Sequence, residues 1–273
     1  MDFDNGVHEI SNADYHGSSA LSRSALMHFK KSPAHYFYEY HQKQQQETPT
    51  ESMIMGEAVH TAILEPHLMP ARFAVKNKVD GRTREGKAYN ESFALLAAGK
   101  QVIDLESHQD VIGMQQAVFN NDIASALLTG CKIEHSIFFT HQSTGLQCKV
   151  RPDAWMGSIV NDLKTSNDAH PRAFQSSAYK YGYFLQAAMI KEALKFIGID
   201  LERFLFIVVE KVAPFVTAIY DLDFEAIAYG VSQFNELMEQ LARCKDRNMF
   251  PGYGVQQLTL PNYAQYDTLL ETE

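Results

Sequence analysis

Two aspartates and one lysine lie in or beside strand-like apolar stretches of VRPDAWMGSIVNDLKTSNDAH, residues 150–170. Asp162 and Lys164 are two residues apart, so they point to the same face of a strand. A turn at 156–157 would bring Asp153, on the preceding strand, close to Asp162. Two carboxylates this close repel each other unless a cation lies between them, and oxygen ligands favour Mg²⁺ or Mn²⁺ over zinc. The spacing therefore predicts a site for a hard divalent cation.

A lysine beside such a cation suits phosphodiester hydrolysis. Its ammonium group can orient a metal-held water, help to activate that water and stabilise charge on the transition state. The alternative is that Asp153 caps a turn while Asp162 and Lys164 form an ion pair on a solvated face. The pattern alone leaves both interpretations open.

The hydrophobic pattern changes period after Gly130, and this change predicts the elements that hold these residues. Alternating and apolar runs predict an antiparallel three-strand meander, and Pro171 predicts the first turn of a helix. The fold class that follows is a mixed α/β domain in which helices flank one central sheet. The meander strands are 131–141, 146–155 and 157–164. The other elements are helices at 22–41 (divided at Pro33), 53–65, 91–98, 107–128, 171–197 and 223–246, and strands at 203–211 and 214–222.

The net charge of −9 over 273 residues, with a pI near 5.6, argues against a protein that coats nucleic acid by bulk charge. Segment 71–90 departs from this balance, with six basic residues against two acidic ones and a local charge of +4. Basic side chains on a Gly-containing loop suit the phosphate backbone of DNA, although a solvated loop is the alternative. The basic residues are Arg72, Lys76, Lys78, Arg82, Arg84 and Lys87.

The sequence shows neither the pattern of a secretory signal peptide nor an apolar run long enough to span a bilayer. The three cysteines are Cys131, Cys148 and Cys244, which are widely spaced and form no CxxC pattern. They predict neither a disulfide framework nor a cysteine-based metal site. We therefore expect a cytoplasmic protein without a membrane partner, folded as one domain.

RPD at 151–153 and DLK at 162–164 resemble the signature of the PD-(D/E)xK nuclease superfamily. Further segments occur in the order found in the nuclease domains of the RecE exonuclease (exonuclease VIII) family, so the resemblance covers nearly the whole chain. It implies a single domain, residues 1–273, with a restriction-endonuclease-like core at about 131–250 and a helical elaboration at about 20–128. The further segments are ISNADYH, LSRSAL, SPAHY, GEAVHTAILEP, GRTREGKA and YKYGYFLQAA.

The resemblance also implies roles for individual residues. Asp153 and Asp162 would bind the metal together with the backbone carbonyl of Leu163, and Lys164 would be the catalytic lysine. His60 would lie beside the metal, although a core or capping histidine on an amphipathic helix is the alternative. Three further residues are uncertain members of this site: Glu57, Glu134 and Arg151.

Two tyrosines and a glutamine share one face of the predicted 171–197 helix. Tyr179, Tyr183 and Gln186 are spaced at +4 and +7. They resemble the family's Tyr/Gln motif, which implies that the tyrosines contact DNA and that Gln186 belongs to the catalytic group. Tyrosines at helical spacing also pack cores with their hydroxyls at the rim, whereas Gln186 would be an unusual core residue.

The function implied by the resemblance is a Mg²⁺-dependent deoxyribonuclease, with Mn²⁺ as a substitute metal. We expect a 5′-to-3′ exonuclease that acts on double-stranded DNA ends and exposes single strands for recombination. A RecT-like annealing protein is the expected partner, and a ring-shaped homotetramer the expected assembly. An endonuclease of the same fold and a non-catalytic protein that binds DNA ends stay open, although intact Asp153, Asp162 and Lys164 favour the enzyme.

Overall fold

The computed structural model of the protein describes residues 2–43 and 48–261. Within these ranges, Tyr38–Gln42 forms a π-helical turn and Pro66–Leu68 a 3₁₀ turn. The strands are β1 Gly6–His8, β2 Phe73–Lys76, β3 Gln101–Asp104, β4 Lys132–Ile133, β5 Ser136–Thr140, β6 Gln147–Val150, β7 Ala154–Met156, β8 Ile159–Ser166, β9 Arg203–Glu210 and β10 Thr217–Asp221. The α-helices are α1 Asn12–Gly17, α2 Arg23–Lys31, α3 Pro33–Phe37, α4 Glu51–Leu64, α5 Met69–Arg72, α6 Arg84–Leu96, α7 Leu105–Phe119, α8 Asp122–Leu128, α9 Pro171–Lys180, α10 Tyr183–Phe196 and α11 Phe224–Asp246.

A five-stranded mixed sheet carries the segment that contains Asp162. Its strand order is β10-β9-β8-β7-β4, so β8 is the middle strand. β8 pairs in parallel with β9, whereas the other three pairs are antiparallel. The predicted fold class, a mixed α/β domain with a central sheet and flanking helices, is confirmed.

The predicted meander is present in its pairing, but a break divides it between two sheets. β5 pairs with β6 and β1 in a three-stranded antiparallel sheet, whereas β7 pairs with β4 and β8 in the five-stranded sheet. The first predicted strand turns at Glu134, which has a left-handed φ of +53°. The second predicted strand leaves the ladder at 151–153. Asp153 therefore lies where the two sheets separate.

The basic segment 71–90 was predicted as a loop, but among these residues the loop is 77–83. Arg72 lies at the end of α5, Lys76 at the end of β2, and residues 84–90 in α6. Thr83 caps α6, because its side-chain oxygen accepts a hydrogen bond from the Gly86 N–H at 2.9 Å. Arg84 and Lys87 consequently lie in the first turns of α6, and Arg82 lies just before the helix. The loop prediction is wrong for 84–90 because this cap satisfies one of the free N–H groups that a helix start exposes.

The helix predicted for 171–197 is two helices, α9 and α10. Gly182 lies between them with a left-handed φ of +69°, a conformation that glycine adopts readily. A Cβ added at Gly182 would lie 2.5 Å from the Sδ of Met27 on α2. The prediction of one helix is wrong because the helical period of polar and apolar residues runs across this glycine and does not reveal the turn.

The two faces of β8 and β9 contact two separate hydrophobic cores. Val160 and Phe206 pack with α2, α10 and α11 on one face, whereas Leu163 and Ile207 pack with α4 and α7 on the other. Because side chains alternate along a strand, Asp162 lies on the same face as Val160. The carboxylate of Asp162 is therefore held beneath α10.

The N-terminal half contains two features that the sequence patterns did not predict. β2 and β3 form a parallel two-stranded ribbon within the predicted helical elaboration. The helix predicted at 107–128 is divided into α7 and α8 at 120–121. None of the helices in residues 2–43 and 48–261 is both long enough and apolar enough to span a bilayer.

Replacement of Gly182 with alanine should destabilise the corner between α9 and α10. The left-handed conformation costs an L residue roughly 1–2 kcal/mol, and the new methyl group would also displace the Met27 side chain. Urea unfolding should show a free energy of unfolding that is lower by about this amount. Gly17→Ala is the matched control, because open space surrounds Gly17 and its φ is not left-handed. Equal losses in the two variants would contradict this explanation.

Candidate active site

Asp162 is fully buried on the middle strand, so its carboxylate needs partners. The ammonium group of Lys164 contacts its Oδ2, and Nε2 of Gln186 donates a hydrogen bond to its Oδ1 at 2.6 Å. Burial raises the pKa of Asp162 to about 6, against the opposing effect of Lys164. For Lys164, burial lowers the pKa, but the carboxylates of Asp162 and Asp153 together raise it above its usual value. Lys164 is therefore protonated at neutral pH.

Gln186 reaches Asp162 from α10 and is itself held by Arg23 of α2. Nη1 of Arg23 donates to Oε1 of Gln186 at 3.4 Å and to the backbone carbonyl of Tyr181 at 3.3 Å. Both ends of the Gln186 amide are thus occupied, which fixes the orientation of the side chain. Sequence reasoning gave Arg23 no role, although LSRSAL, one of the segments in the resemblance, contains it.

Asp153 connects this group to a second cluster of side chains at the break between the sheets. Its Oδ2 accepts a hydrogen bond from the Leu163 N–H at 2.7 Å and lies 3.6 Å from Nδ1 of His60. The Glu134 N–H donates to the backbone carbonyl of Asp153 at 3.1 Å. Potential ligand atoms of His60, Glu134 and Asp153 all lie within 4.8 Å of one another. We call these three residues the carboxylate cluster.

The carboxylate cluster fits a divalent cation, because it offers two carboxylates and one imidazole nitrogen. Burial, followed by the negative charge of Asp153, raises the pKa of Glu134 to about 8. A cation between the two carboxylates would remove this repulsion. Asp162 and Leu163 were predicted as further ligands; they lie beside the cluster, where Asp162 contacts Lys164 and Leu163 donates its N–H to Asp153. Their ligand roles stay predictions.

A cleft of about 580 Å³ opens onto the carboxylate cluster, and Glu57 and Arg151 lie on its wall. Oε2 of Glu57 accepts a hydrogen bond from Nε2 of Gln101 at 2.7 Å. The guanidinium of Arg151 donates to neutral oxygens only: Ser136 Oγ, Asn12 Oδ1, Ile10 O and Ser11 O. Among the described residues, no carboxylate oxygen lies within 4 Å of the Arg151 guanidinium. Burial lowers the pKa of Arg151, although the negative charge of Glu134 raises it in opposition.

A second cavity, of about 230 Å³, shares Arg151 with the cleft and is basic. Arg23, Lys149 and Arg151 line it together with Gln186. Lys149 is buried and donates to oxygens of Tyr15 and Ser18. Among the described residues, no carboxylate oxygen lies within 4 Å of any of these three cations. The cavity is therefore suited to an anion, and it was not predicted because its residues come from distant segments.

The two tyrosines of the predicted Tyr/Gln motif lie in different environments. Tyr183 is on α10, and its ring centroid is 4.9 Å from Nζ of Lys164. Tyr179 is on α9 and is 60% exposed. The prediction that both share one helix face with Gln186 is wrong, because Gly182 changes the chain direction between them.

The predicted basic DNA contacts lie at the start of α6 and do not touch the buried ion pair. Arg82 is almost fully exposed, and its Nε donates to Oδ1 of Asp80 at 3.2 Å. Arg84 and Lys87 are also exposed. Their contact with DNA stays a prediction.

A comparison with family models shows the superfamily. The model described as a PDDEXK-like domain of unknown function (DUF3799) matches residues 22–258. The chain belongs to this family. The predicted PD-(D/E)xK assignment, carried by RPD at 151–153 and DLK at 162–164, is thereby confirmed, while the closer likeness to RecE stays a prediction. None of the curated proteins matches the chain.

Solved structures resemble this PDDEXK-like chain at low sequence identity. A Eubacterium rectale protein described as a "Putative exonuclease" is 10% identical, with a TM-score of 0.63, 94% of this chain covered and 98% of its own. A phage related exonuclease from Haemophilus somnus 129PT is 14% identical, with a TM-score of 0.29, 61% of this chain covered and 85% of its own. The first likeness supports the fold alone, and the second is too weak to support an argument.

Replacement of Glu134 with glutamine should flatten the pH dependence of stability. The pKa of Glu134 is raised from 4.5 to about 8, so without metal the folded state binds a proton more tightly than the unfolded state. Stability should therefore fall as the pH rises from about 4.5 to about 8, and Glu134→Gln should remove part of this fall. Urea unfolding in EDTA over this pH range measures the fall in the free energy of unfolding.

The control is Glu239→Gln, which removes an exposed carboxylate on α11. This variant should keep the wild-type pH dependence. If Glu134→Gln also keeps it, Glu134 is ionised in the folded protein and the repulsion within the carboxylate cluster is absent.

Proposed function

We propose that this PDDEXK-like chain is a deoxyribonuclease that depends on Mg²⁺, with Mn²⁺ as a substitute metal. One observation carries the proposal: a buried ion pair, Lys164 with Asp162, lies directly beside a cluster of metal-binding type. Burial of such a pair is costly, and a protein that only binds DNA has no need for it. The arrangement therefore favours catalysis over a purely accessory role.

The carboxylate cluster contains the residues that would hold the metal: His60, Glu134 and Asp153. When bound, the metal supplies Lewis acidity to a phosphate oxygen and lowers the pKa of a bound water. His60 and Glu134 border the open cleft, so a phosphate group has access to this side of the cluster.

Lys164 acts as the proton-bearing group of the proposed site. Because its Nζ is protonated, it can donate hydrogen bonds to a phosphate oxygen on which negative charge develops. Asp162 holds the ammonium group in place, and Gln186 occupies the other oxygen of Asp162. The side chain of Lys164 thus has a fixed position before any substrate arrives.

DNA is the proposed substrate because three cations without a carboxylate oxygen within 4 Å lie beside the ion pair. The basic cavity formed by Arg23, Lys149 and Arg151 includes Gln186 in its wall, so it adjoins the Asp162–Lys164 pair. Cations without carboxylate partners attract phosphate groups, which are the part of DNA that a nuclease must hold without reading the sequence. Arg82, Arg84 and Lys87 would add contacts farther along the duplex.

The proposed activity is 5′-to-3′ digestion of double-stranded ends, which yields single strands for recombination. The resemblance to the RecE family supports this activity. We also propose, on the same resemblance, a RecT-like partner and a ring-shaped tetramer. An endonuclease remains the second candidate, because the open cleft also admits an internal phosphate. Linear duplex labelled at its 5′ or its 3′ end, digested with Mg²⁺ or EDTA, tests the proposal. Early release of the 5′ label supports 5′-to-3′ digestion, whereas cleavage of circular DNA supports the endonuclease.

Lys164→Ala should reduce hydrolysis by at least a hundredfold, the usual effect of removing one preorganised donor to a transition state. The protein should still fold, because the buried Asp162 already has a pKa near 6 and can take up a proton when the lysine is absent. Binding of DNA in EDTA should stay near wild type. Lys195→Ala, an exposed lysine on α10, is the control and should keep full activity. A fully active Lys164→Ala protein would refute the assigned role.

Asp153→Asn should abolish the stabilisation that the metal provides. In the wild type, Mg²⁺ at a hundredfold excess over its dissociation constant should add about 2.7 kcal/mol to the free energy of unfolding. The variant should be as stable as wild type in EDTA, because asparagine can still accept the Leu163 N–H while the repulsion with Glu134 is lost. Thermal unfolding with and without Mg²⁺ measures both effects. The control is Asp246→Asn, on the exposed end of α11, which should still be stabilised by Mg²⁺. If Mg²⁺ also stabilises Asp153→Asn, Asp153 is not a metal ligand.

Combined Arg82→Ala and Arg84→Ala should weaken DNA binding and its salt dependence. The slope of log affinity against log salt should become shallower by roughly 0.7 to 0.9 for each phosphate that the variant no longer neutralises. Fluorescence anisotropy over a salt series, in EDTA, measures the slope. The control is Arg243→Ala on α11 together with Arg247→Ala just after it, which removes the same charge elsewhere. A slope unchanged from wild type would show that Arg82 and Arg84 are solvated and do not contact DNA.

A further inference from the structure

Three exposed tyrosines and two lysines form a surface at the corner between α9 and α10. Tyr179, Tyr181 and Tyr229 are 60%, 52% and 44% exposed. Nζ of Lys30 lies 5.6 Å from the ring centroid of Tyr179, and Nζ of Lys180 lies 5.4 Å from that of Tyr181. We call these five residues the tyrosine surface. Tyr179 was predicted to contact DNA, and the other four have no role in the proposed site.

Two rings of the tyrosine surface contact each other, and the backbone that carries the third is held by a hydrogen bond. The centroids of Tyr179 and Tyr229 are 6.5 Å apart, which joins α9 to α11. The hydroxyl of Tyr229 accepts a hydrogen bond from Gln233 at 3.2 Å, and the backbone carbonyl of Tyr181 accepts one from Arg23 at 3.3 Å. A ring that is already held in place loses little conformational entropy when a flat partner stacks on it.

The tyrosine surface leads to the buried ion pair. Tyr181 and Tyr183 have ring centroids 6.1 Å apart, and Tyr183 in turn lies 4.9 Å from Nζ of Lys164. Both tyrosines line a cavity of about 360 Å³ that also includes Thr165, the residue after Lys164 on β8. A chain bound across Tyr181 can therefore continue toward the site of hydrolysis.

The charges of the tyrosine surface favour a polyanion. In residues 2–43 and 48–261, no carboxylate oxygen lies within 4 Å of the Lys30 or Lys180 ammonium group. A lysine ammonium is carried on a flexible four-carbon stem, so each of the two can leave its ring and approach a phosphate. Aromatic faces with unpaired cations between them are the combination that holds single-stranded nucleic acid.

We propose that the tyrosine surface binds single-stranded DNA, with bases stacked on Tyr179, Tyr181 and Tyr229 and phosphates held by Lys30 and Lys180. Unpaired bases expose both of their faces, whereas a duplex exposes base faces only at its ends. The surface therefore binds a strand with unpaired bases in preference to duplex. This inference rests on the proposed nuclease function, since it places the strand beside the proposed catalytic lysine.

The test uses the full chain and a short fluorescein-labelled oligothymidylate in EDTA, so that binding is measured without hydrolysis. Tyr179→Ala, Tyr181→Ala and Tyr229→Ala should each weaken binding roughly fivefold or more, the usual loss for one stacked base. The matched Tyr→Phe variants should bind like wild type, because phenylalanine keeps the ring. Affinity for a blunt duplex should change little. Tyr253→Ala is the control, because Tyr253 is 72% exposed and belongs to the C-terminal segment after α11.

An abasic oligonucleotide is the second probe, since it keeps the phosphates and lacks the bases. It should bind wild type more weakly than oligothymidylate does, and the alanine variants should weaken its binding no further. Alanine variants that bind oligothymidylate like wild type would overturn the inference, as would a change of oligomeric state in place of a change in affinity. Because binding is measured without hydrolysis, a wild-type chain that shows this binding but degrades no DNA would disprove the proposed function alone.

Discussion

The burial of the Asp162 carboxylate is the constraint on which the rest of the site depends. A charged group in the middle strand of a sheet is costly unless every oxygen has a partner. Lys164 supplies the partner for one oxygen from two residues along the same strand, and Gln186 supplies the partner for the other from α10. The turn at Gly182 and the contact of Arg23 with Gln186 then fix α10 in the position from which this glutamine reaches the sheet.

The break between the two sheets serves the site in a different way. In a continuous meander, residues 151–153 would be paired with a neighbouring strand. The side chains of successive residues would then lie on opposite faces of the sheet. Instead, Glu134 adopts a left-handed conformation that is unfavourable for a residue other than glycine, and its N–H donates to the backbone of Asp153. Two carboxylates and His60 are thereby brought together. The left-handed backbone of Glu134 and its repulsion with Asp153 both lower the stability of the fold. Such costs are typical of residues that are arranged to bind a ligand.

Much of the fold follows from patterns that act over short distances. Helix and strand periods and the pairing order of the meander depend on neighbouring residues, and these were predicted. The bends in the meander and the division of the 171–197 helix were not predicted, because they depend on packing between distant elements. Gly182 illustrates this: its sequence neighbours favour a helix, but the close approach of Met27 requires a residue without a side chain. The same reason explains why the β2–β3 ribbon carried no signal.

The sequence by itself determined that Asp162 and Lys164 of DLK lie on one face of their strand, since a spacing of two does this on any strand. Together with RPD at 151–153 it also indicated the superfamily. Only the tertiary structure decided that Glu134 joins His60 and Asp153, and that Arg23, Lys149 and Arg151 gather around one cavity beside the buried ion pair. These groups come from segments far apart in the chain, and the distance between them depends on how helices and sheets pack. A periodic pattern of neighbouring residues therefore cannot predict that distance.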